Sequence, residues 1–381
     1  MTDETIRTTH IGSLPRTPEL LELLTKRQAG EDVDDEEWHR TVVDATETVV
    51  ERQTDIGLDI INNGEQPRVS FNWYVANRLT GIGDEREAPL WDDLADYPEY
   101  ASDAFDAEAI DLTKQPSVVD AVEYAGEAAA REEIDTFFDI LAETDVDAED
   151  TFITAASPGV AAATLVNDYY DSHEEFLSAV GDALAREYEL VAETGATLQL
   201  DAPDLLTTGH RGFGDRPIEK LKPIVQMHVD ALNEATASIP DDQLRVHTCW
   251  GSYEGPHHRD KPLEEIIPIL YDLNVGGLSV EEANPRHQHE YRVFREHPLP
   301  DDWTLMPGVI DVKTNIVEHP QVVADRLERV ADAVEDPTRI VAAPDCGFDT
   351  QAGLAMVHPE IAWAKLEALV EGAAVATERI F

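Results

Sequence analysis

Leu244-Arg245-Val246-His247-Thr248-Cys249 reads as a short strand that ends in metal-ligand chemistry. Side chains alternate between the two faces of a strand, so His247 and Cys249, two residues apart, project together. Seven further runs share this form, short and apolar and finishing in polar, glycine or proline residues. They are Ile6–Ser13, Leu58–Glu65, Thr151–Ser157, Thr197–Asp201, Gly277–Glu281, Thr304–Asp311 and Ile340–Cys346. Helical patterns fall between them at Pro18–Arg27, Trp38–Thr54, His173–Thr194, Pro217–Ser238, Leu263–Leu273 and Gln321–Val334, with Pro359–Arg379 after the last. Strand then helix, eight times over, predicts an α/β fold of the (β/α)8 TIM-like barrel kind, in preference to a doubly wound open sheet. Chemistry in that fold gathers at the carboxyl ends of the strands. Ser13, Glu65, Asp201, His247, Cys249, Glu281, Asp311 and Cys346 all fall at such ends.

Residues 82–147 fit no barrel repeat and predict an acidic, helical insertion after strand two. The first part, Asp84–Asp111, carries eleven acids and one arginine, and the second, Ser117–Glu143, has a helical pattern. No linker or internal repeat divides the chain, so residues 1–381 are expected to form one barrel domain with this insertion over the mouth or flank.

Charge excludes several partners. Lys+Arg 28 against Asp+Glu 79 gives a net charge of −51, the wrong sign for nucleic acid or an anionic membrane. The acids are dispersed and only seven basic residues are lysine, a surface that repels itself at low salt and is relieved by screening. A halophilic protein of a high-salt cytoplasm is the expectation. No run approaches the roughly 20 apolar residues of a membrane helix. The start, Met-Thr-Asp-Glu-Thr-Ile, has no signal-peptide form, and two cysteines make no disulfide framework.

Both cysteines end strand-like runs, as does Glu281. Zinc favours a tetrahedron of nitrogen, sulfur and carboxylate donors, and His247, Cys249, Glu281 and Cys346 offer one. Two thiolates and a carboxylate leave the metal electron-rich, which suits holding a substrate thiol as a nucleophile better than making hydroxide. The plainer alternatives are a closed zinc site or two buried cysteines that never meet. Glu282 competes with Glu281 for the ligand position but points to the other face. His257, His258, His287 and His289 do not share metal spacing with the cysteines and read as loop or surface. His10 reads as packing beside strand one, Trp73 and Tyr74 as packing after strand two, and Ser157 as a strand end beside the mouth.

The segments Thr9-His10-Ile11-Gly12-Ser13-Leu14-Pro15-Arg16, Asn63-Gly64-Glu65-Gln66, His247-Thr248-Cys249, Glu281-Glu282-Ala283-Asn284-Pro285-Arg286 and Pro344-Asp345-Cys346-Gly347 together resemble the catalytic barrel of cobalamin-independent methionine synthase, in its short branch. The resemblance runs from residue 8 to about residue 350. It implies a TIM-like barrel that transfers a methyl group to homocysteine, bound as a thiolate on zinc. It implies zinc on His247, Cys249, Glu281 and Cys346, the substrate carboxylate at Ser13 and nearby backbone, and its ammonium at Glu65 and Asp201. The methyl donor is expected to be a methylated pterin or a methyl-corrinoid protein. The family sequence Gly-Val-Tyr-Asp-Ile-His-Ser after strand seven here reads Gly308-Val309-Ile310-Asp311-Val312-Lys313-Thr314, so Lys313 replaces a histidine linked to protonation of the folate leaving group. Asp311 and Lys313 are the candidate catalytic pair, Lys313 as a donor whose pKa must be lowered and Asp311 as its orienter or a strand-end cap. Asp201-Ala202-Pro203-Asp204 departs from the family's Asp-Glu-Pro-Ala. Alternatives are an alkyltransferase for another small thiol of the coenzyme M kind, and a non-catalytic zinc-binding protein.

Overall fold

Among the described residues ten strands organise the chain: β1 Arg7–Thr8, β2 Ile82–Glu87, β3 Lys114–Val118, β4 Phe152–Ala156, β5 Val166–Asn167, β6 Thr197–Asp201, β7 Leu244–Thr248, β8 Gly277–Val280, β9 Thr304–Ile310 and β10 Val341–Pro344. The computed structural model describes residues 4–87, 91–105, 114–144, 146–147, 150–209, 213 and 216–381. Seven strands form one curled parallel sheet in the order β1-β10-β9-β8-β7-β6-β4. Bridges from Thr9 to Ile60 and from Ile61 to Thr151 join its two edges. This is the TIM-like α/β arrangement expected from the sequence, with the second strand reduced to Ile60 and Ile61.

That strand is short for a local reason. Asn62 Oδ1 accepts from Gly64 N at 2.7 Å and Asn63 Oδ1 from Glu65 N at 2.9 Å, so the chain turns instead of extending. Gly64 and Glu65 follow at φ 64° and 55°. The turn is clamped from outside by Gln53, whose Nε2 donates to Asn62 O at 2.8 Å while its Oε1 accepts from Asn62 N at 3.0 Å.

Helices close around the sheet where their apolar stripes dictate. In Asp35–Ile56, Val42, Ala45, Thr46, Val49, Val50 and Gln53 are buried at helical spacing. Asp34 caps it by accepting from Glu37 N at 2.9 Å, and Asp35, Glu36 and Glu37 complement the dipole of the first turn. This cap starts the helix earlier than the apolar pattern from Trp38 implies. The helices Pro18–Gln28, His173–Ala192, Ile218–Ala235, Leu263–Leu270, Pro320–Val334 and Pro359–Ile380 match the sequence expectation to within a few residues. The short helices Phe71–Arg78 and Pro158–Thr164 were not anticipated.

The insertion is less helical than its composition suggests. β2 pairs antiparallel with β3, and β3 pairs parallel with β5. Asp92–Ala95 and Pro98–Phe105 are helical, whereas residues 88–90 and 106–113 of the acidic stretch lie outside the described residues. Glu127–Leu141 packs against Asp35–Ile56 and His173–Ala192, and so takes the place of the helix between the second and third barrel strands. The helical expectation from Ser117 onward is therefore corrected: Lys114–Val118 is strand, and the helix begins at Glu127. Among the described residues no helix is long and apolar enough to cross a membrane.

Candidate metal centre

Strand register brings the chemistry together. Asp201 pairs with His247 across β6 and β7, and His247 with Ser279 across β7 and β8, so these residues share one layer near the carboxyl ends. One residue past β7 comes Cys249; two past β10 comes Cys346. Donor atoms of His247, Cys249 and Cys346 all lie within 4.8 Å of one another, and all three residues are buried.

The electrostatics are those of a shared proton. The Cys346 thiol is held well below the usual thiol range, first by a hydrogen bond with Cys249 and then by the His247 ring. Cys249 is pushed well above that range by the same contact with Cys346 and by burial. Burial lowers the affinity of His247 for a proton, but Cys346, Asp201 and Glu281 together raise it above the ordinary value. His247 Nδ1 is 3.1 Å from Ser279 Oγ, which leaves Nε2 buried without a hydrogen-bond partner. A buried nitrogen with no partner beside two sulfurs fits a thiophilic divalent cation.

Glu281 is buried beside these three but stands outside the converged group. Its Oε2 accepts from Trp250 N at 3.2 Å, and its Oε1 accepts from Lys313 Nζ and Asn284 Nδ2. Burial alone would push its carboxyl up; Lys313, the largest opposing influence, brings it below the ordinary range. Glu282, the competing acid, is buried with both carboxylate oxygens lacking partners, and burial pushes its carboxyl well up.

Ser13, Glu65 and Asp201, the residues expected to hold an amino acid, are all buried. Asp201 Oδ1 accepts from Gln199 Nε2 at 2.7 Å, and Glu65 Oε1 from Thr154 Oγ1 at 2.9 Å. Burial raises both carboxyls, that of Asp201 strongly, and the Glu65 charge adds to the Asp201 shift. Glu65 is one of three non-glycine residues at positive φ among those described, a strained conformation of the sort that gathers at functional sites. Arg16 ties this region together: its guanidinium donates to Glu65 O at 2.8 Å, Arg68 O at 2.6 Å and Asp349 O at 2.7 Å, and pairs with Asp349 Oδ2 at 3.0 Å. Ser13 O accepts from Phe348 N at 2.9 Å and Ser13 Oγ from Asp349 N at 3.3 Å, fixing the first loop against the last.

Some expected roles meet a different geometry. Lys313 keeps its ammonium: burial lowers its pKa, but Glu281 outweighs this and raises it above the usual lysine value, opposite to what proton donation needs. Asp311 Oδ1 accepts from Lys313 N at 2.8 Å, so it caps the turn that carries Lys313. Ser157 caps Pro158–Thr164 through Val160 N at 3.0 Å and donates to Asp204 Oδ1 at 2.8 Å. His10 lies edge-on to Phe152, and burial lowers its pKa to about 3.

Two groups went unrecognised in the sequence. Asp345 accepts from the backbone N–H groups of Glu282, Ala283 and Asn284 at 2.8, 2.7 and 3.1 Å, so the residue before Cys346 shapes the loop after Glu281. His257 and His287, read as loop or surface, are buried and meet at Asp260. Only the His-x-x-Asp spacing of His257 and Asp260 could have signalled it, and the partner His287 comes from another loop. His258 and His289 do have exposed side chains.

A parallel barrel with sulfur, imidazole and carboxylate groups buried at its carboxyl end defines a TIM-like protein with a candidate metal site. The sequence matches the family described as cobalamin-independent synthase, catalytic domain, over residues 6–90 and 158–374, and the chain belongs to that family. It is 26% identical over 369 residues to the methionine synthase of Thermococcus kodakarensis, covering 96% of this chain and 91% of that one. It is 26% identical over 376 residues to the methionine synthase of Saccharolobus solfataricus, covering 98% and 95%. In fold it resembles a B12-independent methionine synthase from Shewanella sp. W3-18-1 in complex with selenomethionine, with TM-score 0.71, 20% identity and 99% of each chain covered. A putative vitamin-B12 independent methionine synthase from Listeria monocytogenes gives TM-score 0.65 at 21% identity, covering 97% of this chain and 98% of that one.

Proposed function

We propose that this chain transfers a methyl group to the thiol of homocysteine, giving methionine, with zinc held by His247, Cys249, Cys346 and Glu281. The observation that carries the reading is the convergence of His247, Cys249 and Cys346 within 4.8 Å at the ends of two strands nearly a hundred residues apart. Near full-length similarity to proteins named methionine synthase supports it.

Zinc, when bound, supplies a Lewis acid that lowers the pKa of a thiol so that its sulfur is nucleophilic at neutral pH. The protein's own residues do the aiming. Glu65 and Asp201 are acceptors for the substrate ammonium, and Ser13 with neighbouring backbone N–H groups supplies donors for its carboxylate. Fixing both ends of a zwitterion orients the third substituent, here the sulfur-bearing arm. Methyl transfer then forms a sulfur–carbon bond while the bond from carbon to the donor breaks, its electron pair leaving with the donor. The donor is a methylated pterin or a methyl-corrinoid protein.

The test is metal analysis with Cys249→Ser and Cys346→Ser, read alongside methionine formation from homocysteine at high salt. Loss of one equivalent of zinc and of product in both variants is expected. Full activity in both rejects the reading.

A further inference from the structure

The Asp260 carboxylate lies between two imidazoles, in a place the thiol cluster does not use. Its Oδ2 is 2.9 Å from His257 Nδ1 and 2.8 Å from His287 Nε2, and donor atoms of the three buried residues fall within 4.8 Å of one another. We propose that His257, Asp260 and His287 form a second cation site, for a divalent first-row transition ion, that joins the loop after β7 to the loop after β8.

Three observations carry this. The donor set is two imidazole nitrogens and one carboxylate oxygen, which suits a first-row transition ion and disfavours magnesium or calcium, whose ligands are oxygens. Ligands held about 2.1 Å from an ion are about 3.0 to 3.4 Å apart, so the observed 2.8 and 2.9 Å need open by only a few tenths of an ångström. The far nitrogen of His257 also has the disposition found in metal-bound histidines, which turn the other ring N–H toward an acceptor: His257 Nε2 is 3.1 Å from Tyr253 O.

Protons alone serve the cluster less well. A neutral imidazole has one N–H. If both rings donate to Asp260, His257 Nε2 turns a lone pair to the Tyr253 carbonyl, relieved only by a 3.4 Å contact from Lys313 Nζ. His287 Nδ1, buried, then keeps no hydrogen-bond partner. Charging both rings instead puts two imidazolium groups on one carboxylate oxygen, with Lys313 Nζ only 3.4 Å from His257 Nε2. An ion at Asp260 lets each ring keep its single proton on the outer nitrogen. The surroundings are prepared: Trp250 stacks on His287 at 3.6 Å and 3°, Tyr253 stacks on His257 at 4.3 Å. Asp93, from the insertion, accepts from Tyr253 Oη at 2.7 Å and His257 N at 2.9 Å.

The inference stands independently of the proposed activity, and cobalt(II) separates the two. The full chain should bind two equivalents, only one of which gives the near-ultraviolet absorption of thiolate-to-cobalt charge transfer. Asp260→Asn and His287→Gln should each drop binding to one equivalent with that absorption kept. The double variant Cys249→Ser, Cys346→Ser should lose the absorption and keep one equivalent. Anomalous diffraction from crystals of the unaltered chain soaked in cobalt should show a peak among His257, Asp260 and His287, whatever the variants do. No peak there at full loading, a single equivalent in the unaltered chain, or two equivalents retained in both Asp260→Asn and His287→Gln overturns the proposal.

Discussion

Replacing Asp201 by asparagine should weaken binding of an amine-bearing thiol without destabilising the empty protein. The side chain is buried, its Oδ1 is fixed by Gln199, and burial raises its carboxyl well above the ordinary value, with the Glu65 charge adding to the shift. A carboxyl raised in the folded state contributes stability below its unfolded pKa of 3.8 and loses it as pH climbs toward the folded value. Holding a carboxylate there is therefore a burden on the empty protein, and asparagine, which keeps the Gln199 contact through its own oxygen, relieves it. A ligand ammonium loses a charge-assisted hydrogen bond worth about 1.5 to 3 kcal/mol. At about 1.4 kcal/mol per tenfold, that is roughly a 10- to 150-fold weaker affinity. Calorimetric titration of the zinc-loaded protein with homocysteine and with its analogue lacking the amino group reads this directly, beside a thermal melt. Homocysteine should lose affinity, the desamino analogue should not, and Tm should hold or rise. Equal losses for both ligands, or none for homocysteine, would refute the assignment of Asp201 to the ammonium.

Other expectations are as direct. Gly347→Ala puts a Cβ onto Ser13 Oγ and 3.1 Å from Ser13 N; overpacking of this kind costs about 1 to 3 kcal/mol, so a denaturant melt should show the loss and homocysteine affinity should fall with it. Lys365 is fully buried, donating to Glu318 Oε2 at 2.8 Å and to Ile316 O at 2.5 Å; Lys365→Met removes the cation at Glu318 Oε2, leaving the carboxylate its Oε1 contacts with Asp311 N and Arg326, and should cost about 3 kcal/mol in chemical denaturation while leaving metal content unchanged. His10, with its pKa lowered to about 3 from 6.5, is neutral in the folded chain. Its contribution is present above pH 6.5 and is lost as pH falls from 6.5 toward 3, by a few kcal/mol in all. A His10→Phe variant should show a flatter acid-unfolding curve. With a net charge of −51, Tm should rise between low and molar KCl; a flat or falling Tm removes the high-salt reading.

The barrel was legible because its strands carry their own punctuation: β6 ends at Asp201 and β7 runs up to Cys249, so the apolar runs and the polar chemistry stop together. Where side chains rewrite the backbone, legibility ends. Asn62 and Asn63 cut strand two to a pair of bridges through turns that an apolar count does not register. The insertion's acidity concealed the β2–β3 pairing, since Ile82–Glu87 is mostly exposed and shows no alternating apolar face. At the site, cysteines one and two residues past strand ends were found by residue type, while Arg16, Asp345 and Asp260 act through contacts with loops far away in the chain. Lys313 is the clearest case of geometry overriding inference: a lysine in a histidine's place suggested an acid, and the neighbouring Glu281 holds it charged.

X-ray absorption at the zinc edge tests the central claim most directly. The loaded chain should show sulfur neighbours at about 2.3 Å that vanish in the Cys249→Ser, Cys346→Ser double variant, and homocysteine should add a further sulfur to the unaltered protein. A spectrum of nitrogen and oxygen neighbours alone, unchanged by the double substitution, would contradict the account.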